Sequence, residues 1–247
     1  MIKLSKARWE ASLLVKGHLA ALLLVLSWVR PKLQVYWDRV DATVFHTLNY
    51  SLAGHPWLQG ATAVLCHWTM NLAIVAAMMW PLYLYVRTGK DSGLTIRLAH
   101  VVSFFLYMGV CLLAFEGIGR EFLTLDRLSP SLIEDEVVVV SAAPATSFPC
   151  GLFTVLVMWT GFLWHYRGWR WGLRAFAFAV VAFLPKLASG AHWATDGLVG
   201  SVALAAILLT WAFGSPLLSS LVETVTPLLQ KVIKVPPTSK VSKRPFR

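Results

Sequence analysis

His192 and Asp196 stand four residues apart in Gly190-Ala191-His192-Trp193-Ala194-Thr195-Asp196. That spacing puts both side chains on one face of any helical turn. An imidazole with a carboxylate beneath it is the arrangement of a nucleophile or base with its orienting partner. The same residues also read as a plain helix start: an interfacial His, a Trp at a membrane surface, and an Asp at the positive end of the helix dipole. Two further polar blocks bear on the choice. One holds Arg120 and Arg127, separated by six residues and followed by Ser129-Pro130; the other is Ser147-Phe148-Pro149-Cys150-Gly151-Leu152. Pro185-Lys186 precedes His192 by five intervening residues. Cationic groups of this kind clamp a phosphate, and a His–Asp pair can be aimed at its phosphorus. Phosphoryl transfer needs charge neutralisation and positioning above all.

The elements that must position these groups are membrane helices. The chain is 57% hydrophobic and 14% charged, with a mean hydropathy of +0.64, outside the range of ordinary soluble domains. Apolar runs long enough to cross about 30 Å of hydrocarbon are expected over 11–29, 61–86, 98–118, 150–164, 173–188 and 197–213. The fold class expected is therefore all-α, a polytopic six-helix bundle spanning residues 1–218, followed by a basic tail over 219–247 that is partly disordered. An amphipathic surface helix is expected near the start of that tail. No cleavable leader is expected, because no small-residue cleavage pattern follows the first run. The mixed stretch 33–60 is too polar to span and suits a helix lying in, or dipping into, the interface.

Charge orients the bundle. With the N-terminus, the 87–97 loop, the 165–174 turn and the tail on one side, that side carries 16 of the 22 Lys and Arg and 3 of the 12 acidic residues. The positive side stays cytoplasmic, so both termini are expected there. The 119–147 loop, the Ser147-Phe148-Pro149 turn and the His192/Asp196 turn then meet at the outer face. The net charge of +10 speaks for this topology and not for nucleic acid. Cys66, Cys111 and Cys150 are far apart and form neither a disulfide framework nor a metal spacing. No metal or cofactor is expected.

The three blocks resemble the motifs of the type 2 phosphatidic acid phosphatase superfamily, K-x6-R-P, P-S-G-H and S-R-x5-H-x3-D. Here they read R-x6-R-L, P-C-G-L and P-K-x5-H-x3-D, and the third is the most specific match. The branch most similar is a phosphotransferase of lipid A-type molecules, and the likeness covers most of the chain. The resemblance implies a site at the outer face of a bacterial inner membrane. It makes His192 the nucleophile that becomes a phosphohistidine and Asp196 the residue that sets its tautomer. Arg120, Arg127 and Lys186 would hold phosphate oxygens, with Ser147 and the backbone near Gly151 as neutral donors. The partners implied are phosphorylated membrane lipids, an isoprenyl diphosphate or a lipid A-type molecule.

The sequence departs from that pattern at six positions, among them Arg120 for a Lys and Pro185 for a Ser. Leu152 stands where the family's leaving-group acid, a His, belongs, and loss of a general acid typically costs about 10²–10⁴-fold in rate. Cys150 replaces a Ser, Lys186 an Arg and Leu128 a Pro. Two readings follow. A diphosphate donor, whose leaving group is itself a phosphate, needs little protonation and keeps transfer feasible. Alternatively the protein is a catalytically impaired relative that binds phosphorylated lipids or regulates a partner. A transporter has little support, since the intramembrane charges are few. Glu116 is read as the partner of Arg120, His67 as a hydrogen-bonded and not a metal-binding residue, and His165 as cytoplasmic. His46 and His55 stay open as replacement acids.

Overall fold

The computed structural model describes residues 9–88, 93–119, 127–135, 137–142 and 144–233. Among these residues it is all helical and without strands. Nine α-helices follow in order: α1 Ala11–Val29, α2 Pro31–Tyr50, α3 Pro56–Cys66, α4 Trp68–Thr88, α5 Leu94–Ala114, α6 Gly151–Arg167, α7 Trp169–Ala188, α8 Val202–Gly214 and α9 Leu217–Ile233. A π-helical turn, Phe115–Gly119, extends α5, and another, Asp196–Ser201, leads into α8. Arg120 and the tail beyond Ile233 lie outside the described residues.

Five of these segments are long and apolar enough to cross a membrane: Ala11–Val29, Trp68–Thr88, Leu94–Gly119, Trp169–Ala188 and Asp196–Gly214. Each begins within a few residues of an expected run, except that the run expected over 61–86 is broken. Helix α3 ends at Cys66, His67 is extended, and α4 restarts at Trp68. The break has a local cause. The Thr69 hydroxyl pairs with His67 Nδ1 at 2.9 Å, and the Thr69 N–H reaches the same nitrogen at 3.4 Å. His67 thus makes a hydrogen bond, as its reading required.

The core lies where α6 packs against α7, α8 and α5, with Phe104, Phe153, Leu156, Met158 and Phe162 almost wholly enclosed. Large apolar side chains such as Val110, Leu113 and Val181 face outward, as helices surrounded by lipid require. Small residues let helices approach closely. Gly17 of α1 sits so near Thr210 of α8 that a Cβ there would collide with its methyl carbon. The stretch after α8 forms a 17-residue helix, α9, whose Val222 and Val225 bury against Ala99 of α5. At the basic turn between α6 and α7, Arg167 lies 4.2 Å from the Trp171 ring and Arg170 lies 5.5 Å from that of Trp169.

Helix α2 carries the decisive departure from a simple surface helix. Its buried residues are Asp41, Phe45 and Asn49, spaced by four, so the inward stripe of a largely polar helix contains two polar side chains. Asn49 donates to the carbonyls of Val138 and Ala188 and accepts from the Val138 N–H. One amide thereby ties the long 127–150 segment to the end of α7.

Candidate active site

The helix α7 ends at Ala188, and Gly190 turns the chain with a φ of +70°, a conformation that glycine adopts without strain. A Cβ at Gly190 would also press on Ser131, whose N–H bonds the Gly190 carbonyl. The Ala191 and His192 N–H groups then cap the Lys186 carbonyl. This fold-back presents His192 towards the 127–150 segment. The pair four apart is joined by a turn, not a helix face: the Trp193 N–H donates to Asp196 Oδ2 at 2.7 Å. Below it, the Cys150 N–H reaches the Asp196 carbonyl, and the Ser201 hydroxyl bonds the carbonyls of both Cys150 and Asp196. The start of α6 is thus fastened to the His192 turn. Gly200 allows this, since a Cβ there would meet the Phe148 ring at 2.7 Å.

His192 Nδ1 lies 2.7 Å from the Ser147 carbonyl and 3.5 Å from Asp196 Oδ2. A carbonyl only accepts, so Nδ1 carries the proton and Nε2 is the nitrogen left for chemistry. Ser147 serves through its backbone; its own hydroxyl faces the Arg127 carbonyl at 3.3 Å. Gly151 opens α6 at an exposed position, and a Cβ there would meet nothing within 4 Å. The positive end of a 17-residue helix, which no side chain caps, thus lies at an exposed glycine beside Cys150, a setting suited to phosphate.

Arg127 is held behind the His–Asp pair. Its NH1 donates to Asp196 Oδ1 at 3.0 Å and to the Thr195 hydroxyl, and its NH2 donates to Asp41 Oδ2 at 2.6 Å. The guanidinium also lies 5.6 Å from the Trp28 ring and 5.1 Å from that of Trp193. Asp41 Oδ1 takes the Thr195 N–H at 2.8 Å, and Oδ2 takes the Thr195 hydroxyl at 2.6 Å. Two carboxylates exposed by only 2% and 0% thus share one guanidinium. Arg127 and a protonated His192 together match the charges of the Asp41 and Asp196 carboxylates. Burial alone would lower the His192 pKa, but the Cys150 thiol and the Asp196 carboxylate beside it outweigh burial and raise it to about 10. Burial likewise pushes the Asp41 carboxyl above the usual carboxylate range, against the lowering pull of Thr195 and Arg127.

Of the residues expected at the site, the structure brings together His192, Asp196, Ser147, Arg127 and Gly151. Arg120 lies outside the described residues. Lys186 points elsewhere: its Nζ donates to the Cys66 carbonyl at 2.8 Å, where a cation suits the negative end of α3. His46 sits 3.7 Å from Glu134, and His55 precedes α3 without a side-chain hydrogen bond to its first turn. Leu152 is partly buried and packs on the core. Asp41 and Thr195 were not among the expected residues. The signal that marks Asp41 is its place on the same stripe as Phe45 and Asn49. A cavity of about 530 Å³ opens beside Arg127, lined by Asp38, Asp41, Leu128, Glu134 and Trp193 among others. Among the described residues no group of His, Cys, Asp and Glu is arranged to hold a metal ion.

The chain is similar to lipid A 1-diphosphate synthase of Escherichia coli (strain K12). The two are 28% identical over 216 residues, which cover 83% of this chain and 88% of that protein. No family model matches the chain, and no solved structure matches it. The likeness supports a related lipid phosphatase or phosphotransferase family, and the five apolar helices fit a membrane protein.

Proposed function

We propose that the protein is a membrane lipid phosphotransferase that works through a phosphohistidine at His192. The observation that carries this reading is the His192 Nδ1 contact with the Ser147 carbonyl, 2.7 Å, backed by Asp196 at 3.5 Å. It fixes the tautomer that leaves the Nε2 lone pair to attack phosphorus. The P–O bond to the leaving lipid phosphate breaks as the N–P bond forms. An acceptor oxygen or water then takes the phosphoryl group and restores the imidazole. The open N-terminus of α6 at Gly151 supplies backbone donors for the phosphoryl oxygens. The donor we favour is an isoprenyl diphosphate or a lipid A-type diphosphate, because a phosphate leaving group tolerates the absence of an acid at Leu152.

The 17-residue α6 serves as a sixth span alongside the five longer ones in this reading. Both termini are cytoplasmic, and the site faces the periplasm of a bacterial inner membrane. The charge asymmetry of the loops and the bacterial relative support that placement. A second reading has its own support: Leu152 offers no acid and the Arg127 and Lys186 cations are both engaged within the protein, as suits a catalytically impaired chain that regulates a partner or binds phosphorylated lipids without those two cations. The experiment that separates the two is transfer of labelled terminal phosphate from an isoprenyl diphosphate in liposomes, comparing wild type with His192→Ala. Label transfer that disappears with His192 supports the enzyme. No transfer or release from any of several diphosphate lipids leaves the binding protein.

A further inference from the structure

Arg127 touches two carboxylates, and the division of its fork between them decides where Asp196 can point. NH1 takes Asp196 Oδ1 at 3.0 Å, while NH2 is drawn off by Asp41 at 2.6 Å. Asp196 Oδ2 is thereby left to the Trp193 N–H at 2.7 Å and to His192 at 3.5 Å. A guanidinium facing a single carboxylate tends to bind it with both arms. Without Asp41, the planar fork would close on Asp196 and take Oδ2 as well as Oδ1. Thr195 reinforces the division, since its hydroxyl donates to Asp41 and accepts from Arg127, and its N–H is held by Asp41 Oδ1.

We propose that Asp41 is a further positioning residue of this site, one that splits Arg127 and so keeps the Asp196 carboxylate facing His192. It rests on the phosphohistidine reading for its effect on rate, but its effect on His192 itself does not. Asp41 contributes from α2, a helix that carries none of the motif residues. Among the described residues, the charged and titratable groups facing His192 are Asp196 from the π-helical turn and Cys150 from the start of α6. Among the same described residues, those facing Asp41 are Arg127 and, across the adjoining cavity, Asp38 and Glu134. Deleting the Asp41 charge returns the whole Arg127 charge to Asp196. The imidazolium then loses its counter-charge and gives up its proton at lower pH. Deleting the Arg127 charge does the reverse.

The test is a histidine titration of the full-length protein in detergent micelles, followed by ¹⁵N NMR, with the His192 signal assigned from its loss in His192→Gln. Asp41→Asn is expected to lower the His192 midpoint by about one pH unit or more, the size of effect one nearby charge exerts. Asp41→Glu, which keeps the charge, is expected to restore most of the wild-type midpoint. Arg127→Gln is expected to raise it, and the opposite signs separate electrostatic splitting from simple loosening of the turn. Either variant suffices if the other fails to fold. A midpoint unmoved by Asp41→Asn, a fall in Arg127→Gln, or equal shifts in the Asn and Glu variants overturns the proposal. Label transfer in the same preparations reports on the enzyme separately. A shifted midpoint without wild-type transfer sinks the enzyme and keeps the role of Asp41, and transfer with an unmoved midpoint does the opposite.

Discussion

His192 Nδ1 is nearer to the Ser147 carbonyl, at 2.7 Å, than to the Asp196 carboxylate, at 3.5 Å. The backbone fixes the tautomer and the carboxylate supplies the charge. Asp196→Asn is therefore expected to leave the ring orientation in place while removing the charge that favours the imidazolium. The His192 midpoint should drop, and at pH values above both midpoints transfer from a diphosphate donor should fall by about 10²–10³-fold, because the ring made cationic by the new N–P bond loses its counter-charge. Label transfer and the ¹⁵N titration measure the two effects independently.

Arg127 neutralises two buried carboxylates, so its loss is a matter of stability before it is one of chemistry. Removing one partner of a buried pair typically costs about 3–5 kcal/mol. Arg127→Ala is expected to lose that much in thermal or denaturant unfolding of the micellar protein. Arg127→Lys keeps a charge without the fork and is expected to fall between the two.

Lys186 offers a test of which cations serve the phosphate. Its ammonium caps the Cys66 carbonyl at the end of α3, an interaction typically worth about 0.3–1 kcal/mol. Lys186→Gln is expected to lower stability by that amount and to leave the KM for a diphosphate lipid within about twofold. A KM increase of tenfold or more, about 1.4 kcal/mol of binding, would move Lys186 back to the phosphate.

The pH dependence follows from the His192 pKa, raised from 6.5 to about 10. The folded state holds the proton more tightly than the unfolded state. The stability this gives is complete below about pH 6.5 and is lost as pH rises through about 10. Attack on phosphorus needs the neutral ring, so the rate of phosphohistidine formation should climb from neutral pH towards 10. Unfolding and rapid-quench labelling across that window check the two limbs, and His192→Gln should flatten the first.

The sequence made the His192/Asp196 pair legible because four-residue spacing survives whether the link is a helix or a turn. The apolar runs located the long helices for a similar reason, since hydropathy does not depend on what each helix touches. Other features depend on contacts distant in the chain. The partnership of Asp41 with Arg127 spans 86 residues, and only the buried stripe at 41, 45 and 49 hints at it. The engagement of Lys186 by Cys66 depends on the break at His67, which neither Pro nor Gly announces. A histidine side chain and a threonine hydroxyl make that break, and these residues are common within helices elsewhere.

The most direct measurement is capture of the covalent intermediate. Brief exposure of the wild-type protein to a terminally labelled isoprenyl diphosphate, quenched in alkali, should leave one acid-labile, alkali-stable label on the peptide containing His192, absent from His192→Ala. Labelling that persists in His192→Ala, or turnover of the donor with the label never found on His192, would contradict the account.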